Sequence, residues 1–69
     1  MERIKLINSI NKELDELKIK LSEESYNRFI NNKLIKRYHR LINKKILNRL
    51  LSNLYLKQVY AYVHERNYY

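Results

Sequence analysis

The chain contains neither glycine nor proline, and this double absence restricts its fold more than any other feature. Tight β-hairpin turns rely on glycine, and both residues mark many of the turns that a sheet of several strands needs. Leucine, isoleucine, lysine, glutamate and asparagine dominate instead, and apolar residues recur at helical intervals over most of the sequence. The sequence therefore predicts an all-α fold, a small bundle of three or four helices.

A length of 69 residues allows a single helical domain, residues 1–69, with one core. Chains of this size bury a modest share of their surface and usually need disulfides, a metal or a partner subunit. Cysteine is absent, so disulfides are excluded, and homodimerisation would be one way to complete the bundle. The longest apolar run is Val59 to Val63, and no signal-peptide core follows Met1, so we expect a cytoplasmic protein without a membrane segment.

The first helix is predicted over about residues 2 to 20. Its apolar residues follow each other at alternating spacings of three and four, which places them on one stripe of the helix. They are Ile7, Ile10, Leu14, Leu17 and Leu21. The stripe is interpreted as packing on the rest of its own domain, and the alternative is a seam shared with a partner chain, because coiled coils use the same alternation.

Ser22 is the clearest helix boundary in the sequence. Its hydroxyl can accept a hydrogen bond from the free amides of a following helix, and Glu23 and Glu24 suit the positive end of that helix. Leu21 and Tyr26 have the spacing of a hydrophobic staple across this cap. We therefore predict that a second helix begins after Ser22.

Two changes of the apolar face divide the remainder of the chain, with helices expected within about residues 23 to 53. The first change is near Asn31-Asn32, where either a turn intervenes or one long helix meets different neighbours. The second follows Asn43. After it a new stripe leads into a C-terminal helix at about residues 54 to 65, with Tyr68 and Tyr69 frayed. The stripe and helix contain Ile46, Leu47, Leu50, Leu51, Leu54, Tyr55, Val59, Tyr62 and Val63.

When residues 33 to 46 are placed on a helix at about 100° per residue, the apolar and the basic side chains fall on opposite sides. The core side would carry Leu34, Ile35, Tyr38, Leu41, Ile42 and Ile46. The other side would carry a basic face within about a third of the circle. That face consists of Lys33, Lys36, Arg37, Arg40 and Lys44, and Lys45 and Arg49 extend the candidate binding set.

Charge is divided unevenly along the chain. Residues 1–25 hold five bases and six acids, a net charge of −1, whereas residues 26–69 hold ten bases and one acid, a net charge of +9. No acid occurs between Arg28 and Arg49, and a face that only keeps a protein soluble more often mixes signs. A negatively charged partner is therefore predicted: DNA contacted at its phosphates, or an acidic protein surface.

No pattern in the sequence supports catalysis or a bound metal. The candidate general bases His39 and His64 have no convincing partners, and the acids are explained as helix caps and surface pairs. The two histidines are far apart and show no metal-ligand spacing. We predict that the chain is not an enzyme and uses no cofactor, and that His39 lies at the surface or at its boundary.

Several short segments resemble the Hha/YmoA family of small nucleoid-associated modulators, in the same order. They are Leu21-Ser22-Glu23-Glu24 with Phe29, His39-Arg40-Leu41, Asn48-Arg49-Leu50, and Val59-Tyr60 with Val63. The resemblance as a whole covers about residues 10 to 64. The resemblance requires insertions, the longest between Phe29 and His39. Tyr38 stands where the family has an acidic residue that contacts its partner, and Tyr60 replaces a tryptophan.

The resemblance implies a partner and several residue roles. Proteins of this family bind the dimerisation region of H-NS-type nucleoid proteins, strengthen gene silencing and add basic contacts to DNA. It implies that Arg40 and Arg49 belong to the basic surface, and that Leu41, Leu50, Val59 and Val63 belong to the core. The predicted function is thus a basic helical regulator of transcription that binds a nucleoid-associated protein, DNA or both. The alternatives are a DNA-binding protein of a mobile element or virus, and a protein-interaction module that does not bind DNA.

Overall fold

The computed structural model describes residues 2–43 and 52–68, and within these ranges the chain is all-α. The four described helices are α1 (Glu2–Lys20), α2 (Glu23–Ile30), α3 (Lys33–Asn43) and α4 (Asn53–Tyr68). The predicted all-α bundle is confirmed, and so is the extent of the first helix. The predicted apolar residues Ile46, Leu47, Leu50 and Leu51 lie outside the described residues.

Polar side chains define the helix boundaries. The Ser22 hydroxyl accepts a hydrogen bond from the Ser25 amide at 3.2 Å, which confirms the predicted cap of α2. A turn at Asn31 and Asn32 separates α2 from α3, so the alternative of one long helix is wrong. The Asn32 side chain accepts from the Leu34 amide at 2.9 Å. Ser52 caps α4 in the same way as Ser22, at 3.1 Å from the Tyr55 amide.

The helices α1 and α4 form the largest interface between helices. They run side by side in the same direction, because Glu13 meets His64 while Lys20, further along α1, meets Asn67. The helices α2 and α3 return along α4 in the opposite direction. Phe29 of α2 stacks on Tyr62, and Leu34 of α3 accepts a hydrogen bond from Tyr55, nearer the start of α4.

One hydrophobic core lies between these helices. Its buried members are Ile10, Leu14, Leu17, Phe29, Ile35, Tyr38, Leu41, Tyr55, Leu56, Val59 and Val63. The stripe of α1 is thus buried inside its own chain, as predicted, with Ile7 and Leu21 half-buried at its ends. Deleting a large apolar side chain from such a core typically costs about 2 to 5 kcal/mol.

Two predictions about the C-terminal helix are wrong. Tyr68 is not frayed, because α4 continues to it and its ring lies 4.6 Å from the His64 ring. The predicted apolar stripe includes Leu54, yet this side chain is 69% exposed. The cap at Ser52 starts α4 in a phase that buries Tyr55 and Leu56 and turns Leu54 outward. No described helix combines the length and the apolar character that crossing a membrane requires.

Candidate nucleic-acid interface

The helix α3 carries its cations on one side and its core residues on the other, as the sequence predicted. Lys33, Lys36, Arg37 and Arg40 are all exposed, and we call these four residues the α3 basic face. The opposite side buries Ile35, Tyr38 and Leu41. The other three predicted site residues, Lys44, Lys45 and Arg49, lie outside the described residues.

Tyr38 attaches α3 to α1 through the core. Its side chain is fully buried, and its hydroxyl donates a hydrogen bond to Asn11 Oδ1 at 2.7 Å. Burial raises the pKa of Tyr38 far above its ordinary value, with a smaller contribution from Tyr55. The hydroxyl therefore stays protonated and remains a donor at physiological pH. The buried side of α3 is thereby fixed, and the α3 basic face is held toward solvent.

Tyr55 makes a second attachment, between α3 and the start of α4. Its hydroxyl donates to the Leu34 carbonyl at 2.6 Å, and the Arg37 guanidinium lies 5.0 Å from the centre of its ring. Burial raises the pKa of Tyr55, and the positive charges of Arg37 and Arg40 partly oppose that rise. Arg37 is therefore partly engaged with the protein itself.

The remaining cations of the α3 basic face have no acidic partner among the described residues. Arg28 pairs with Glu24 on α2, and His64 pairs with Glu13 between α4 and α1, but neither pair involves α3. The sequence of α3 contains no acid of its own. Lys33, Lys36 and Arg40 thus present their positive charge to solvent, where an anionic partner can neutralise it.

The position of His39 agrees with its predicted place at the boundary of the core. It is half-buried, and its ring meets the ring of Tyr38 edge-on with 5.9 Å between the ring centres. Burial lowers its pKa, which favours the neutral imidazole. In the described parts of the chain, no group of three or more histidine, aspartate and glutamate residues is placed to hold a metal ion.

A polar cluster between α1 and α4 was not predicted. Glu13 is only 7% exposed, and its two carboxylate oxygens lie 3.0 and 3.1 Å from Nδ1 of His64. Asn67 donates to Glu16 at 3.0 Å and accepts from the Lys20 ammonium at 2.7 Å. The prediction that His64 lacks a partner is therefore wrong. The prediction that caps or surface pairs explain the acids is wrong for Glu13 and Glu16, whereas Glu24 does form an exposed pair with Arg28.

A signal for this cluster does exist in the sequence. Glu13 follows Ile10 by three residues and precedes Leu17 by four, so it borders the buried stripe of α1. Asn67 follows Val63 by four residues and continues the buried side of α4. Buried polar groups need hydrogen-bond partners, so two such positions on neighbouring helices indicate that they satisfy each other. Burial raises the pKa of Tyr60, and the neighbouring Glu13 carboxylate raises it further.

Comparisons with known proteins give no family for this chain. No family model matches it, and neither the curated proteins nor the solved structures include a significant match. The resemblance to the Hha/YmoA family therefore stays a prediction. Leu41, Val59 and Val63 are buried and Arg40 is exposed, but helical periodicity alone accounts for these placements.

Proposed function

We propose that the protein is a small nucleic-acid-binding regulator that contacts the phosphate backbone through the α3 basic face. The observation that carries this proposal is the arrangement of α3 itself. One side is fixed in the core by Tyr38, and the other presents exposed cations that have no acid nearby on the helix. Such a surface attracts a polyanion. Binding loses little conformational entropy, because the helix is already held in place.

The dimensions of the α3 basic face suit a nucleic-acid strand. Lys33 and Arg40 are seven residues apart, which corresponds to about 10 Å along a helix. Phosphates of one DNA strand follow each other at about 3.4 Å along the duplex axis, so the face spans about three of them. Contacts of this kind position a protein on nucleic acid without reading its sequence.

The order of α2, turn and α3 is that of a helix–turn–helix, in which the second helix enters the major groove. The turn here has two residues, Asn31 and Asn32, which is shorter than the usual three or four. Arg37 is engaged with Tyr55, so Arg40 and the exposed Asn43 are the better placed candidates for a base contact. Phosphate binding remains the main proposed role of the helix.

An acidic protein partner is the second candidate function. The resemblance to the Hha/YmoA family supports a contact with an H-NS-type nucleoid protein, and a regulator of this class would act on transcription in the nucleoid. The position of Tyr38 argues against the family's mode of contact. That position carries the partner-binding acid in the family, whereas Tyr38 is fully buried in this chain and cannot touch a partner. DNA is therefore the favoured ligand of the α3 basic face.

The proposal can be tested with a triple variant, K33Q/K36Q/R40Q, which leaves Arg37 on Tyr55. Binding to a labelled DNA duplex is measured at several salt concentrations. Each lost phosphate contact lowers the slope of log affinity against log salt by about 0.9, so three contacts lower it by about 2.7. Circular dichroism should show unchanged helix content, because the three side chains are exposed.

A charge-matched control distinguishes binding by the α3 basic face from the general electrostatic attraction of DNA to a basic protein. The variant K5Q/K12Q/K18Q removes three exposed lysines from α1 and should change the salt slope far less. Equal losses in the two variants would mean that no particular face binds DNA. Retention of a purified H-NS-type dimerisation domain by the wild type, without any binding of DNA at low salt, would favour the second candidate.

A further inference from the structure

A second basic feature lies away from the α3 basic face, in an open cleft between α2 and α4. The cleft has a volume of about 260 Å³. It is lined by Ser25, Arg28, Phe29, Tyr62 and Arg66. We call it the Arg28–Arg66 cleft. Its volume is slightly below the range of about 300 to 1,000 Å³ for pockets that hold drug-sized molecules, so it suits a small group.

The helical spacing of these residues explains why they meet. Ser25 precedes Arg28 by three residues and Phe29 by four, so the three lie on one side of α2. Tyr62 and Arg66 are four residues apart and share one side of α4. The rings of Phe29 and Tyr62 stack with 5.1 Å between their centres and 4° between their planes. This stack aligns the two helices and brings the two arginines to the same cleft.

The two arginines have little to neutralise them within the cleft. Arg28 has an ion pair with Glu24 at 3.5 Å, but both side chains are highly exposed and such pairs are weak. Arg66 has no ion pair among the described residues, and no acid lines the cleft. Each arginine also lies in the last turn of its helix, where a cation is favoured by the helix dipole. That preference explains one cation per helix end but not their convergence on one cleft.

We propose that the Arg28–Arg66 cleft is a binding site for a phosphate group. Two guanidinium groups can each donate paired hydrogen bonds to phosphate oxygens, and the Ser25 hydroxyl adds a further donor. The buried Phe29 ring and the half-buried Tyr62 ring supply an apolar wall, beside which charges attract each other more strongly than in open water. The phosphate belongs either to a free mononucleotide, with its base against Tyr62, or to a nucleic-acid strand.

The site is tested by titrating inorganic phosphate into the isotope-labelled protein and following the arginine Nε–H signals by NMR. The signals of Arg28 and Arg66 should move together and saturate. R66Q and R28Q should each weaken binding about tenfold, because each removes a charged hydrogen-bond partner. R66K should lose less than R66Q, because it keeps the charge without the paired donors.

Two controls make the result specific to this cleft. K18Q and K5Q each remove one exposed cation from α1, and both should leave the phosphate affinity reported by the Arg28 and Arg66 signals within about twofold, because neither residue lines the cleft. Because no residue of α3 lines the cleft, the outcome is separate from DNA binding by α3. Shifts that do not saturate, or equal losses in R66Q and K18Q, would overturn the proposal.

Two further ligands identify the source of the phosphate. Adenosine 5′-monophosphate that binds more tightly than inorganic phosphate and shifts the Tyr62 ring signals would support a mononucleotide, since aromatic rings stack on bases. An oligothymidine strand that displaces inorganic phosphate, with R66Q lowering its affinity, would support a nucleic-acid strand. If neither ligand perturbs Arg28 or Arg66, the site does not serve either source and the assignment fails.

Discussion

The guanidinium group of Arg37 lies over the ring of Tyr55, 5.0 Å from its centre, and joins the α3 basic face to the hydrophobic core. Tyr55 is buried, and its hydroxyl simultaneously holds the Leu34 carbonyl. One aromatic side chain of α4 thus contacts two positions of α3. The consequence is that the cations of α3 are not equivalent, because Arg37 contributes to stability while its neighbours are available to a ligand.

We predict that the stability lost on replacing Arg37 depends on whether Tyr55 is present. R37Q should lower the free energy of unfolding by about 0.5 to 1 kcal/mol, the usual value of an exposed cation–π contact. In a Y55L background the same substitution should cost almost nothing, because the ring is absent. Urea unfolding of the four proteins measures the difference. An equal cost in both backgrounds would show that Arg37 acts without Tyr55.

Sequence periodicity was sufficient to predict the buried sides of α1 and α3, whereas at the start of α4 it wrongly placed the exposed Leu54 in an apolar stripe. The stripe with Ile10 and Leu14 and the core position of Tyr38 follow from spacing within one helix, and the Ser22 cap follows from local chemistry. The pairing of Glu13 with His64 could not be predicted in the same way. These residues are 51 positions apart, and their contact depends on how α1 and α4 are rotated against each other.

The hydrogen bond from Tyr38 of α3 to Asn11 of α1 should contribute to the stability of the fold. Y38F keeps the buried ring but removes the hydrogen bond to Asn11, so we expect a loss of about 1 kcal/mol. In a domain of this size that corresponds to a fall in Tm of about 4 to 8 °C, which a thermal melt detects. N11A should cost a similar amount and add nothing to Y38F. Additive losses would indicate that the hydroxyl has another essential partner.

His39 should make the protein less stable in mild acid. Burial lowers its pKa in the folded state below the ordinary value of about 6.5, so the unfolded chain binds the proton more readily. Its contribution is fully present above about pH 6.5 and is lost as the pH falls through the lower folded-state pKa. H39Q should therefore show a smaller drop in stability between pH 7 and pH 5, to be measured by urea unfolding.

The control variant for H39Q is H64Q, which removes the other histidine of the chain. That variant retains His39 and should keep the part of the acid-dependent loss that His39 causes. If wild type and H39Q lose the same free energy of unfolding over this pH interval, the burial of His39 has no effect on its protonation.

The Glu13–His64 pair should hold α1 against α4. Glu13 is nearly buried, and its carboxylate also lies 3.4 Å from the Asn67 amide, so E13Q leaves donors without their charged acceptor. We expect E13Q to cost about 1 to 3 kcal/mol. The coupling to His64 should be smaller, about 0.5 to 1.5 kcal/mol in a double-mutant cycle with H64Q, because the imidazole is partly exposed and screened by water.

The matched control for Glu13 is Asp15, an exposed acid on the same helix. D15N should change the free energy of unfolding by less than about 0.5 kcal/mol. The polar cluster around Glu13 lies between α1 and α4 and does not include α3. Folded E13Q should therefore show the same dependence of DNA affinity on salt as the wild type. A changed slope in E13Q with unchanged helix content would show that the orientation of α4 controls the α3 basic face, through the contact of Tyr55 with Arg37.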